Sequence, residues 1–107
     1  MSEDPGVAAQ IAELVAMGRT FLDQNRLAEA ENIFLGLRSV TVDDFEVNKN
    51  LGIVLATRRA FAEAKAPLME AAVLDDSDPV VFNVLSACAF ETADYAGALE
   101  AADRAPA

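Results

Sequence analysis

LGIVLATRRAFAEA, residues Leu51–Ala64, decides the fold, because its spacing of small and large apolar residues occurs once before it and once after it. Gly18 recurs as Gly52 and then Ser86, a step of 34 residues (52 − 18 and 86 − 52). Leu27 recurs in the same step as Phe61 and Tyr95, and Ala30 as Ala64 and Ala98. A fixed period of this length marks a stacked array of helical hairpins. Two helices approach to roughly 8–10 Å only where the side chains at their crossing allow it. Gly18 and Gly52 on first helices are therefore expected to face Ala30 and Ala64 on second helices, with Leu27, Phe61 and Tyr95 plugging the start of each second helix. The alternative is an alanine-rich bundle whose matches are accidental, and three sets in one register argue against it.

Ile11, Leu14, Val15, Gly18, Phe21 and Leu22 follow helical spacing, and Asn25 marks a turn where Asn tolerates a left-handed backbone. Leu27, Ala30, Phe34 and Leu37 form one face of a second helix. Asp4-Pro5, Asp43-Asp44 and Asp78-Pro79 each precede a helix, where an acidic oxygen accepts from free amides and complements the helix dipole. Asp75, Asp76 and Asp78 lack the central Gly and the distant Glu of a calcium loop, so capping is the reading preferred over metal binding. Pro67 falls inside the run Phe61–Leu74 and removes one helical hydrogen bond. The spacing predicts a kink near Glu63–Pro67 with the Glu63 carbonyl turned to water, or else a helix that begins later. The last helix, from Tyr95 to about Ala105, is short and alanine-rich. Repeat arrays normally end in a helix with a polar outer face, and none follows here. Either this small alanine-rich surface is tolerable in water, or Ala98, Ala102 and Ala105 are contacts with a second subunit or another partner.

One domain, residues 1–107, suits the length, and three hairpins are about the minimum that bury a shared core. Hydrophobic residues make up 53% of the chain, ample for that core, and without Trp the six Phe and the aliphatic residues carry the burial. Eighteen acidic against eight basic residues leave a net charge of −10, which repels phosphate backbones and anionic membrane surfaces. Neither nucleic acid nor a membrane is an expected partner. Met1–Gly6 reads MSEDPG, with no export signal, and no apolar run approaches the roughly 20 residues that span a bilayer, so the expected location is cytoplasmic.

Histidine is absent, which removes the commonest general base and the commonest metal ligand together. No phosphate-cradling Gly-rich loop, paired-Cys zinc pattern or histidine-dependent triad is present, so the chain is read as a non-enzyme without cofactor or metal. Cys88 lies between Leu85 and Ala89 on an apolar stretch and is read as a buried spacer. Glu29/Glu31 and Glu100/Asp103 belong on outward, solvated parts of second helices. Arg58-Arg59 with Lys65 is the one basic cluster, read as balancing Glu63 and nearby acids.

ADYAGALEAA at Ala93–Ala102, NRLAEAENIF at Asn25–Phe34 and DDSDPVVFNVLS at Asp75–Ser86 resemble the tetratricopeptide repeat family. The resemblance implies an all-α fold of about three stacked antiparallel helix-turn-helix repeats in a short right-handed superhelix. The repeats would cover approximately 11–44, 45–78 and an incomplete 79–107. It also implies a concave surface lined by first helices. Stepping by the repeat gives four rows: Ala12, Glu46, Val80; Val15, Lys49, Asn83; Arg19, Ile53, Ala87; Leu22, Ala56, Phe90. Val15, Arg19, Leu22, Lys49, Ile53, Asn83, Ala87 and Phe90 are the candidate peptide-binding residues of a largely apolar trough. Arg19, Lys49 and Asn83 would pin the backbone or an acidic side chain of the peptide. The alternative is that several of them are ordinary core.

One subgroup of the family grips C-terminal carboxylates with a Lys, Asn and Arg clamp. The corresponding places here hold Val15, Arg19, Asn50, Val80 and Val84, of which only Asn50 matches, so a clamp is not expected. In size, acidity and groove character the chain is similar to bacterial type III secretion chaperones. That similarity implies a protein-binding module holding a hydrophobic segment of a secreted or assembly subunit, in many relatives as a homodimer. The second reading is a self-associating scaffold or a generic adaptor.

Overall fold

The computed structural model describes residues 5–106. Among them six helices and no strand occur: α1 (Pro5–Asp23), α2 (Leu27–Val40), α3 (Phe45–Thr57), α4 (Phe61–Leu74), α5 (Pro79–Glu91) and α6 (Tyr95–Arg104). They pair as three hairpins, with α3 packed on α1 and α2, and α5 packed on α3 and α4. The architecture is an all-α, tetratricopeptide-like stack. Its last helix is cut short, at 10 residues where α2 and α4 have 14.

The turn inside each hairpin is the same device used three times. Asn25, Arg59 and Ala93 take left-handed φ values of 58°, 68° and 60°. Around them the Arg26, Ala60 and Asp94 amides each donate to the carbonyl five residues earlier, at 2.8 Å in every case. This closes the last carbonyls of each first helix and reverses the chain in a few residues. The hairpins are then joined by capped starts. The Asp44 carboxylate accepts from the Val47 amide at 3.1 Å, and Asp78 accepts from the Val80 amide at 2.9 Å. Asp94 does the same for the Gly97 amide at 2.9 Å. Asp75 instead holds a turn through the Ser77 amide and hydroxyl, and no acidic cluster among the described residues has a metal-holding arrangement. The Asp4 cap expected from the sequence lies outside the described residues.

The core runs along the inner faces from Phe34 and Leu37 through Leu51, Val54 and Leu68 to Val81, Phe82 and Cys88. A Cβ added at Gly18 would lie 2.7 Å from Phe34 Cζ, and one at Gly52 would strike Leu68, so Phe34 and Leu68 make the nearest contacts to the two glycines. Ala30 and Ala64 are fully buried beside those contacts.

Pro67 is buried within α4, which begins at Phe61, so the later start is excluded. Glu63, whose carbonyl loses its helical donor to the proline, is an exposed residue. The stack is also clipped by two buried amides. Asn48 accepts from Arg38 Nε at 3.0 Å and donates to the Val42 and Asp44 carbonyls. Asn50 accepts from Arg19 at 3.1 Å and donates to the Glu46 carbonyl at 2.8 Å. Every buried side-chain polar atom among the described residues has a partner.

Candidate functional site

The repeat register itself locates the open surface, because a position can be compared with its counterparts one and two hairpins earlier. Ala102 stands where the first two hairpins carry Phe34 and Leu68, both fully buried, and it leaves a hollow. Leu99 stands where they carry Glu31 and Lys65, and Phe90 where they carry Leu22 and Ala56. The result is a cleft of about 580 Å³ between α5 and α6, lined by Asn83, Ala87 and Phe90 on one side and Tyr95, Leu99 and Ala102 on the other. Its apolar rim is in water: Phe90, Tyr95 and Leu99 are 60%, 59% and 70% exposed. Phe90 and Tyr95 meet edge to face at 5.5 Å, which holds both rings upright. On the floor, the Ser86 hydroxyl donates to the Ala98 carbonyl at 2.7 Å, tying the two helices together.

In the first two hairpins the same face is covered by the helix that follows. Arg19, the counterpart of Ala87, donates to Asn50 on α3. Glu31, the counterpart of Leu99, pairs with Arg58 at the end of α3 at 2.6 Å. Lys49, the counterpart of Asn83, pairs with the Asp78 cap of α5 at 2.6 Å, with only 16% and 21% of the two side chains exposed. That ammonium hydrogen bond holds the Asp78 carboxyl below its ordinary value against the opposing effect of burial. The cleft is thus the one copy of this face with no helix lying over it among the described residues.

The sequence candidates divide accordingly. Asn83, Ala87 and Phe90 come together in the cleft. Val15 and Leu22 are half-buried and pack on the core, Ile53 is half-buried, and Arg19 and Lys49 are engaged by Asn50 and Asp78. Ala12, Val15 and Glu46 border a separate depression of about 240 Å³ near the start of α1. Of the three alanines expected to meet another copy, Ala98 is buried against α5 and Ala105 packs on the core, because α6 must lie close to α5 to shield it. Only Ala102 remains open.

Tyr95 and Leu99 were not among the residues the sequence assigned to binding. The available signal was in the columns, since Leu99 is apolar where its two counterparts are charged. Two other expectations are corrected: Glu31, read as solvated, is bridged to Arg58 with 20% of its side chain exposed, and Tyr95, read as a plug, stands 59% exposed because no following helix covers it among the described residues. Arg58 pairs with Glu31 and, at 3.7 Å, with Glu63, while Cys88 is buried and burial pushes its thiol pKa up, away from a reactive thiolate.

No protein-family model and no curated protein matches the sequence. Solved structures do match. The Yersinia enterocolitica type III secretion translocator chaperone SycD is 18% identical with a TM-score of 0.83, over 91% of this chain and 74% of that one. A CopN-Scc3 complex is 20% identical with a TM-score of 0.83, over 89% of this chain and 56% of that one. MamA of AMB-1 is 18% identical with a TM-score of 0.81, over 89% and 52%. At such identities the likeness establishes the tetratricopeptide-like fold. The chain spans about three quarters of the first structure and little more than half of the other two. No helix among the described residues is long and apolar enough to cross a membrane.

Proposed function

We propose that this chain is a non-enzymatic, cytoplasmic protein-binding module that holds a hydrophobic segment of a secreted or assembly subunit, in the manner of a type III secretion chaperone. The observation that carries the reading is the cleft over α5 and α6. Its lining is apolar except for Asn83, Ser86 and Glu91, and three large side chains stand in water at its rim. Contiguous exposed apolar surface of this kind marks an interaction site, and the lining offers little chemistry beyond burial. The likeness to a translocator chaperone structure supports the same class of partner.

Co-expression with an apolar secreted subunit encoded beside this chain tests it, read as soluble complex recovered through an affinity tag. The double substitution Phe90→Asp with Leu99→Asp should abolish recovery while the helical circular dichroism is kept, since both side chains are exposed. Recovery undiminished by the double substitution overturns the assignment of the cleft.

The same uncovered face favours one second reading, a dimer in which two clefts meet about a two-fold axis. Light scattering over a concentration series distinguishes it, with Leu99→Glu abolishing association. Ala98→Glu is unsuitable as a probe because Ala98 is buried.

A further inference from the structure

Resting on that reading, we infer that the occupant of the α5/α6 cleft is an amphipathic helix of a partner protein, seated as a seventh helix would be. The fold already contains this interface twice. Comparing the three first helices position by position isolates the face that a preceding hairpin covers. Glu13, Leu14, Met17 and Thr20 are exposed on α1, which has no hairpin before it. Their counterparts Val47, Asn48, Leu51 and Val54 on α3 are all buried, and so are Val81, Phe82 and Cys88 on α5, with Leu85 half-buried. A helix that docks on a hairpin of this protein therefore presents side chains spaced i, i+1, i+4 and i+7, over the 13 residues that α3 and α5 both have. An extended strand places successive side chains on opposite faces and does not match this spacing.

The direction follows from the pairs that tie each docked helix down. Asp78, the cap of α5, meets Lys49, the counterpart of Asn83, whereas Arg58, at the end of α3, meets Glu31, the counterpart of Leu99. The occupant helix accordingly starts beside Asn83 and ends beside Leu99. Its chemistry differs from that of α3 and α5 in stated ways. Lys49, Arg19 and Glu31, which bind polar groups of the docked helix, are replaced by Asn83, Ala87 and Leu99, so the docked face of the occupant carries no charge. Ala102 leaves empty the volume that Phe34 and Leu68 fill, so the occupant supplies a bulky side chain there. Glu91 at the edge and the net charge of −10 favour basic residues on its outer flanks.

Head-to-tail stacking of a second copy is disfavoured by the same comparison. It would place Glu13 of the incoming α1 at the position of Val47 and Val81, both fully buried, and Glu91, the one charged residue lining the cleft, has the same sign.

The test uses the whole chain and a synthetic 14-residue peptide: an N-terminal Ser cap, Leu at i, i+4 and i+7, Phe at i+1, and Lys or Ala elsewhere. A sequence isomer with the same composition but alternating apolar residues serves as the extended probe. Tyr95 is the only tyrosine and the chain has no Trp, so tyrosine emission reports occupancy of the cleft directly. At physiological salt the helical peptide is expected to bind at least tenfold more tightly than its isomer. A spin label on its N-terminus should broaden resonances near Asn83 more than those near Leu99, and one on its C-terminus should reverse the order. Leu99→Glu should weaken binding at least tenfold although it adds negative charge toward a basic peptide. Ala102→Phe, which restores the bulk of Phe34, should also weaken it while raising thermal stability.

Tighter binding of the alternating isomer, lost in Leu99→Glu, overturns the helical occupant and leaves the cleft standing as a protein-binding site. Binding of both peptides unaffected by Leu99→Glu and Ala102→Phe, or no binding of either, overturns the helical occupant. Self-association abolished by Leu99→Glu, without peptide binding, assigns the face to a second copy.

Discussion

The same substitution, Gly to Ala, should have opposite effects at two helical positions of this protein. At Gly36, inside α2, an added Cβ meets nothing within 4 Å. The replacement then contributes only the helix-propensity gain, about 1 kcal/mol. At Gly52, inside α3, the added Cβ would lie 2.5 Å from Leu68 Cδ2, well inside the usual carbon contact of roughly 3.5–4.0 Å. Leu68 is fully buried, so its branch point has nowhere to move without shifting α4. Overpacking of this kind costs about 1–3 kcal/mol, and the upper end applies where the obstruction is a branched carbon and not a flexible tip. Subtracting the propensity gain leaves a net loss of about 1–2 kcal/mol.

Thermal denaturation followed by circular dichroism at 222 nm measures both. Gly36→Ala should raise the midpoint temperature by about 4–8 °C, and Gly52→Ala should lower it by a similar or larger amount. A double-mutant cycle identifies the cause. Leu68→Ala alone should cost about 2–5 kcal/mol. In that background Gly52→Ala should become stabilising, a coupling of about 2–3 kcal/mol between residues in contact. A Gly52→Ala protein as stable as Gly36→Ala would refute the close approach of α3 and α4 on which the hairpin geometry rests.

Three further outcomes follow from the geometry. Asp78→Asn keeps an oxygen to cap α5 but loses the ion pair with Lys49. The Asp78 carboxyl is held below 3.8 first by its hydrogen bond from Lys49, so its stabilisation is fully present above that pH and is lost as pH falls through the lowered folded-state value. Denaturation midpoints of wild type and variant should thus differ by about 1 kcal/mol at pH 7 and converge in strong acid. Ala93→Gly relieves a left-handed alanine at φ 60°, worth about 1–2 kcal/mol, against a glycine entropy loss of about 0.5–1 kcal/mol, so its thermal midpoint should rise slightly. Asn48→Ala should cost about 2–3 kcal/mol by calorimetry, because it strands Arg38 Nε and the buried-side carbonyl contacts to Val42 and Asp44 together.

The hairpin order and the turns were legible because they depend on local chemistry repeated in phase. Asn25 announces a left-handed residue, and Arg59 and Ala93 take the same conformation at the same register although neither residue type favours it. The nearest contacts of the two glycines lie one turn beyond the alanines of the repeat columns for a geometric reason. Helical side chains lean toward the N-terminus, so the patch opposite Gly18 or Gly52 is covered by Phe34 or Leu68, four residues after the alanine that the column alignment pairs with it. Stepping by one repeat assigns a residue to a side of its helix, but it does not say whether the next hairpin covers that side. For that reason Arg19 and Lys49 read as pins for a peptide, while the structure uses them to hold α3 and α5 in place.

A hairpin face meant for water would carry polar residues where the covered faces carry apolar ones. The third hairpin changes in the other direction at two places, Lys65 giving way to Leu99 and Ala56 to Phe90, and the charge of Lys49 is absent at Asn83. Burying Phe90, Tyr95 and Leu99 would contribute about 1.5–3 kcal/mol each. The sum, roughly 5–9 kcal/mol, is of the same order as the 4–15 kcal/mol lost on association, so this face alone does not produce tight binding. The difference must come from the occupant, through the bulky group that enters the space above Ala102 and through attraction of its basic flank to an acidic protein. An affinity near micromolar, about 8 kcal/mol, is the result expected of such a balance. Because part of it is electrostatic, it should weaken with added salt while the apolar part remains. A complex of that strength holds an apolar segment out of water and still releases it when a stronger partner arrives.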